Sequence, residues 1–186
     1  LASHLWSHYT YTQDKDFLKN KAYPILKKSA LFFLDYMVED PVKGYMMTGP
    51  SMSHENSFKV DGREYALSLA PTCDRVLVYE ALESCIEAAK ILDTDVEFRQ
   101  LMEEAISKLP PLKIGKDGTI QEWFEDYDLA HPNHRHSSHL LALYPYYQIT
   151  LDKTPELAEA AAKSVYRQLN SENWEDVEWS RANMIC

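Results

Sequence analysis

Cysteine is scarce in this chain: three residues, Cys73, Cys85 and Cys186, none of them close to another. An odd number without close pairs makes no disulfide framework, and no metal-ligand spacing accompanies them. Cys85 falls within a helical pattern and reads as a small core residue. Apolar runs are short as well. Nothing approaches the roughly 18 consecutive apolar residues of a membrane span; residues 30–38 come nearest, and Asp35 interrupts them. Positive charge is in deficit, with 19 Lys and Arg against 29 Asp and Glu, a formal net charge of −10. Such a surface repels phosphate backbones, so nucleic acid is not an expected partner. Strand signals are few, and no short repeat supports a regular solenoid.

Apolar material, by contrast, is plentiful. Hydrophobic residues make up 45% and charged residues 26% of 186 positions, the balance of one globular domain with a sizeable core. The chain opens at Leu1 inside an apolar pattern (Leu1, Leu5, Trp6, Tyr9) and closes at Cys186 inside another (Trp179, Ala182, Met184, Ile185). Neither end carries the usual helix stop signals. The expectation is one partial domain, 1–186, truncated at both ends.

Hydrophobic periodicity predicts mostly helices. One covers residues 1–10. After a turn at 13–16, Asp16 is placed to cap a helical region reaching about Val38, with a step at Tyr23–Pro24. Its apolar stripe is Ile25, Leu26, Ala30, Phe33, Leu34 and Met37. Residues 42–58 read as loop, and Asp61–Gly62 as the turn of a small hairpin within 59–69. The clearest helix starts at Thr72 or Asp74 and runs to about Leu92, burying Val78, Leu82, Cys85 and Ala89. Further helices are expected over 96–109, from Ser137 or Ser138 through Leu143, from Thr154–Pro155 to about Leu169, and from near Asp176. Residues 112–136 form a long acidic and aromatic segment, longer than most loops of a compact domain. Together these predict an all-α, antiparallel array with long functional loops.

Three constellations can carry chemistry. Pro50-Ser51-Met52-Ser53-His54-Glu55-Asn56 sets a carboxyl group beside His and Asn in a loop, and glycoside cleavage needs such an acid to protonate the departing oxygen. A solvated loop glutamate is the plainer alternative. Gln121-Glu122-Trp123-Phe124-Glu125-Asp126-Tyr127-Asp128 joins carboxylates, which bind sugar hydroxyls, to aromatic faces, which stack on sugar rings; the alternative is an acidic loop with its aromatics in the core. His134-Arg135-His136-Ser137-Ser138-His139-Leu140 suits a polar, hydroxyl-rich or anionic ligand. Its spacing matches no zinc signature, so no metal is expected; helix capping and buried histidines are the alternative. Asp74 reads as a helix cap, and Trp6, Tyr9, Trp174 and Trp179 as core.

Taken in this order, the three blocks resemble family 95 of the glycoside hydrolases. So do His4-Leu5-Trp6-Ser7-His8-Tyr9, Ala22-Tyr23-Pro24, Phe32-Phe33-Leu34-Asp35 and Pro110-Pro111-Leu112-Lys113-Ile114-Gly115. The resemblance covers nearly the whole chain. It implies about half of an (α/α)6-barrel catalytic domain from an inverting α-L-fucosidase, acting on terminal, commonly α-1,2-linked fucosides. Glu55 falls on the family's general acid. Arg135 and His136 fall on fucose-binding residues, with Glu122 and Trp123 as further lining candidates. The catalytic base, an Asp held near two Asn, is expected outside the chain, in motifs that precede Leu1 and follow Cys186. No cofactor or metal is implied. The implied partner is a fucosylated oligosaccharide or glycan in a periplasmic or extracellular setting, with the remainder of the polypeptide completing the barrel. Alternatives are an α-L-galactosidase of the same family and a non-catalytic helical sugar-binding or interaction module. Two departures stand out: His54 occupies a usual proline position, and Asn173-Trp174-Glu175 replaces a common Gly-Trp pair. Since an acid must be protonated at working pH, the Glu55 pKa is expected to be raised by partial burial and neighbouring carboxylates.

Overall fold

The computed structural model describes residues 1–185. The chain divides into two compact units, Leu1–Met47 with Leu77–Leu109, and Thr48–Val76 with the chain from Pro110 onward. Helices dominate, and the strands are only two or three residues long.

In the first unit, α1 spans Ala2–Thr12 and ends where Gln13 turns left-handed (φ 55°), its N–H bonded to the Tyr9 carbonyl. The next cap is Asp14, not Asp16: its carboxylate accepts the Phe17 N–H at 2.9 Å and opens α2 (Lys15–Phe17). A π-helical turn, Leu18–Ala22, leads into α3 (Tyr23–Tyr36). The step expected at Tyr23–Pro24 is this change of helical pitch, next to a proline that has no N–H to give the α-helical ladder. Tyr23, Leu26 and Ala30 form the buried stripe of α3, whereas Ile25, expected within it, is 49% exposed. Ile25 lies about 100° around the helix from Leu26, off the stripe. The strands β1 (Val38–Glu39) and β2 (Met46–Met47) pair antiparallel. α4 (Thr72–Ile91) gives its first turn to the second unit and the rest to the first. Val78, Leu82, Cys85, Ile86 and Ala89 of α4 join the α1 and α3 stripes and Met102 of α5 (Val96–Ser107) in one core. Burial pushes the Cys85 thiol up to about 12, consistent with an inert core residue.

In the second unit, β3 (Ser51–Met52) pairs with β6 (Leu67–Ser68). β4 (Phe58–Val60) lies between β5 (Arg63–Tyr65) and β7 (Asp128–Leu129). The expected hairpin turn is there: Asp61 (φ 49°) and Gly62 (φ 74°) both take the left-handed conformation that a tight antiparallel connection requires. The expected loop at 42–58 is thus interrupted by β2, β3 and the start of β4. A 3-10 turn, Ser138–Leu140, stands where a helix to Leu143 was predicted; Ser137 is its N-cap without a side-chain cap bond, and the Ser138 hydroxyl, within the turn, faces Ser53. α6 (Pro155–Leu169) buries Ala158, Ala161, Ser164 and Gln168 at helical spacing. Thr154 precedes it without capping it; its Oγ1 bonds back to Thr150. α7 is Glu178–Ile185. A second core, with Val76, Ile120, Leu140, Ala142 and Ile149, packs on the alanine face of α6. No described helix is long and apolar enough to cross a membrane.

Candidate functional site

All the site residues predicted from sequence fall in the second unit. The segment 49–56 starts at Gly49, whose φ of 145° strains any side chain; an added Cβ would also stand 2.6 Å from Leu69 Cδ2, which would have to move. Past β3, the Asn56 N–H closes a turn on the Ser53 carbonyl at 2.7 Å, and Glu55 takes a left-handed φ of 55°. This turn sends the Glu55 side chain outward, where it is 64% exposed.

The block 134–140 meets it there. The Arg135 guanidinium binds the Glu55 carboxylate directly, and His136 Nε2 lies 3.4 Å from Glu55 Oε2. His134 is buried; its Nε2 reaches the His54 carbonyl at 3.2 Å, and its own carbonyl accepts Gln168 Nε2 at 2.8 Å. His134 therefore ties the two segments together, while Arg135 and His136 present their donors. Glu175 also bonds Arg135, at 3.2 Å. It belongs to the Asn173-Trp174-Glu175 departure, which thus adds a carboxylate to the site. Among the described residues, no group of three His, Cys, Asp or Glu side chains is disposed to hold a metal ion.

A cavity of about 330 Å³ adjoins these residues. His54, His136, Ser137 and Asn183 supply polar lining; Leu141, Val165 and Met184 are among its apolar walls. Trp179, assigned from sequence to the core, is 43% exposed and lines it, with its ring centroid 4.7 Å from that of His136. Spacing could not separate these roles, because a tryptophan at the start of a short amphipathic helix has the same period in either.

Glu122 and Trp123 stand elsewhere. Trp123 is 2% exposed and packs on Phe58 with ring centroids 5.2 Å apart. The Glu122 carboxyl is buried behind the segment 51–56 and held by Ser53 and Asn56. Neither lines the cavity beside His136. Asp126 and Asp128 are likewise engaged, with the Lys116 backbone N–H and ammonium. The stretch 121–128 is thus buried at Gln121, Glu122 and Trp123 and exposed at Glu125, Asp126 and Asp128.

The electrostatics also differ from expectation. His136 and Arg135 hold the exposed Glu55 carboxyl below the usual carboxylate range, where a raised value was expected. The cause is two close donors, whose pull outweighs the opposing effect of desolvation. His136 is itself depressed by partial burial, with Glu55 pulling the other way. Burial raises Glu122 to about 7 against its hydrogen bonds and depresses His139 to about 3. His139 Nδ1 lies 3.6 Å from Glu122 Oε2, and burial drives both groups to their neutral forms, so this contact is not an ion pair.

A carboxyl with two nitrogen donors beside a partly apolar cavity is a constellation that can bind a sugar and protonate its leaving group. Comparison with known proteins places the chain more sharply. The glycosyl hydrolase family 95 catalytic domain matches residues 1–186. Alpha-L-fucosidase 2 of Arabidopsis thaliana is 37% identical over 188 residues, covering 97% of this chain and 22% of that protein. Probable alpha-fucosidase A of Aspergillus niger is 30% identical over 154 residues, covering 81% of this chain and 19% of that protein. The chain thus spans about a fifth of the length of these curated relatives.

Proposed function

The chain belongs to glycosyl hydrolase family 95, and from that premise we propose that it is part of an α-L-fucosidase that releases terminal, α-1,2-linked fucose with inversion. The names of both relatives support the substrate class. The observation that carries the reading is Glu55, exposed beside Arg135 and His136, with His136 lining the cavity. In this proposal the helices α1 to α7 are about half of an (α/α)6 barrel completed by the rest of the polypeptide.

Glu55 is the general acid, and Arg135 and His136 hold the sugar. In the free chain these two donors are spent on Glu55 and keep it ionised. Fucose hydroxyls that accept from Arg135 and His136 would compete for the same donors. The sugar would also exclude water from Glu55, and both changes push its pKa upward. Substrate binding thereby recharges the acid that must protonate the departing oxygen. Inversion further needs a second carboxyl group, about 6.5–9.5 Å from the acid, to activate a water on the opposite sugar face. That base is proposed to lie in the remainder of the polypeptide.

The test is Glu55→Gln in the full-length enzyme. Loss of an acid should lower kcat on 2′-fucosyllactose by about 10²–10⁴-fold. An activated aryl fucoside, whose leaving group needs little protonation, should lose far less. Equal and small losses on both substrates would overturn the assignment and favour a non-catalytic sugar-binding role.

A further inference from the structure

The two residues that bracket the turn at Glu55 end on one buried carboxyl group. Ser53 Oγ donates to Glu122 Oε1 at 2.8 Å, and Asn56 Nδ2 reaches Oε1 and Oε2 at 3.1 and 3.2 Å. Glu122 is itself fixed from behind. Its carbonyl accepts the Thr72 N–H at 2.9 Å, and the neighbouring Gln121 carbonyl accepts Thr72 Oγ1 at 2.6 Å, both from the first turn of α4. Ser53 Oγ also lies 2.8 Å from Ser138 Oγ, two residues after His136. Glu122 therefore joins three segments: its carboxyl holds the turn that carries Glu55 and, through Ser53, reaches Ser138 just after His136, and its backbone carbonyl holds the start of α4.

Glu55 needs such support. A residue with a side chain adopts a left-handed φ only where its surroundings hold it there, and Glu55 has φ 55° with its side chain in solvent. Contacts of the Glu55 side chain with Arg135 and His136 do not fix the peptide units on either side. Ser53 and Asn56 do, and both are buried. A carboxyl group is costly to bury, and this one sits at 6% exposure with no cation bonded to it. A cost of that kind is characteristic of a group that orients a site.

We propose that Glu122 is a positioning residue: by clamping Ser53 and Asn56 it sets the direction in which Glu55 projects toward His136 and the cavity. The proposal rests on the reading of Glu55 as general acid.

The closing experiment places Glu122→Gln beside Glu55→Gln in the full-length enzyme. Glutamine keeps the volume and one accepting oxygen, but its amide nitrogen has no lone pair to accept from Asn56 Nδ2, where even a neutral carboxyl keeps an accepting hydroxyl oxygen. The expected result is a kcat on 2′-fucosyllactose reduced about 10- to 100-fold, the scale of a misplaced catalytic group, with KM within about twofold. The loss should be smaller on an activated aryl fucoside, and amide hydrogen exchange at residues 53–57 should accelerate. If exchange is unchanged, Glu122 does not hold the turn and the proposal fails. It also fails if Glu122→Gln loses kcat equally on both substrates while Glu55→Gln discriminates between them. If Glu55→Gln itself fails to discriminate, the acid assignment falls, and exchange alone decides whether Glu122 positions residue 55. Should Glu122→Gln not fold, Ser53→Ala, which removes one strut and keeps the carboxyl, is read by the same criteria.

Discussion

Glu55 Oε2 lies 3.4 Å from His136 Nε2 and is bound at the same time by the Arg135 guanidinium. The carboxyl proposed to give up a proton is thus held as an anion by the side chains proposed to bind the sugar. Acid and sugar compete for one set of donors.

Removing one donor separates the two roles. Arg135→Ala should raise the Glu55 pKa toward its ordinary value of 4.5, because it deletes a cause of the depression while His136 remains. Carboxyl-carbon NMR titration of Glu55 reads this directly. The same substitution should weaken a fucose-shaped iminosugar inhibitor by about 1–3 kcal/mol in calorimetry, the cost of leaving a buried hydroxyl unpaired. His136→Ala should do likewise. Unchanged inhibitor binding in both variants would remove Arg135 and His136 from the sugar site. EDTA should alter neither measurement, and recovery of lost binding on adding zinc would favour a metal.

Glu122 and His139 make a second prediction, about stability. In the folded chain Glu122 is raised to about 7 and His139 depressed to about 3. From about pH 4.5 to 6.5 the folded pair holds one proton, on Glu122, and the unfolded pair also holds one, on His139. Proton uptake balances, so the pair adds no pH dependence to stability in that window. Glu122→Gln removes the folded-state proton only. The unfolded chain then binds one more proton than the folded one, and stability should rise with pH by about 3 kcal/mol across those two pH units. Urea unfolding of both proteins at several pH values checks this. A variant with the same pH profile as the parent would show that burial does not hold the pair neutral.

The third prediction concerns the chain by itself. Among the described residues, Glu122 is buried, Asp126 and Asp128 are engaged with Lys116, and Glu175 is bonded to the same Arg135 that binds Glu55, so none of these four is placed to activate water. Purified as residues 1–186 and assayed on 2′-fucosyllactose beside the full-length protein, the chain should show no turnover. Activity that Glu122→Gln or Asp126→Asn abolished would place the base within this chain.

What sequence determined here is local and repetitive. The apolar period fixed α1, α3, α4, α5 and α6, because each buries one stripe and the stripe is written in the spacing. Asp61–Gly62 fixed the β4–β5 turn, because few residues accept two successive left-handed conformations. The order of the three polar blocks carried the family. Tertiary structure decided which polar groups face solvent and which support them. Glu55 and Glu122 are both glutamates beside His, Asn or Trp in irregular segments, and nothing local tells them apart. One projects from a left-handed turn and the other lies under it, because Ser53, Asn56 and Thr72, from segments distant in sequence, converge on Glu122. The same holds for the direction of the Glu55 pKa, which depends on Arg135 and His136, 80 positions away and more. Burial and charge proximity are sums over neighbours that only the folded chain brings together.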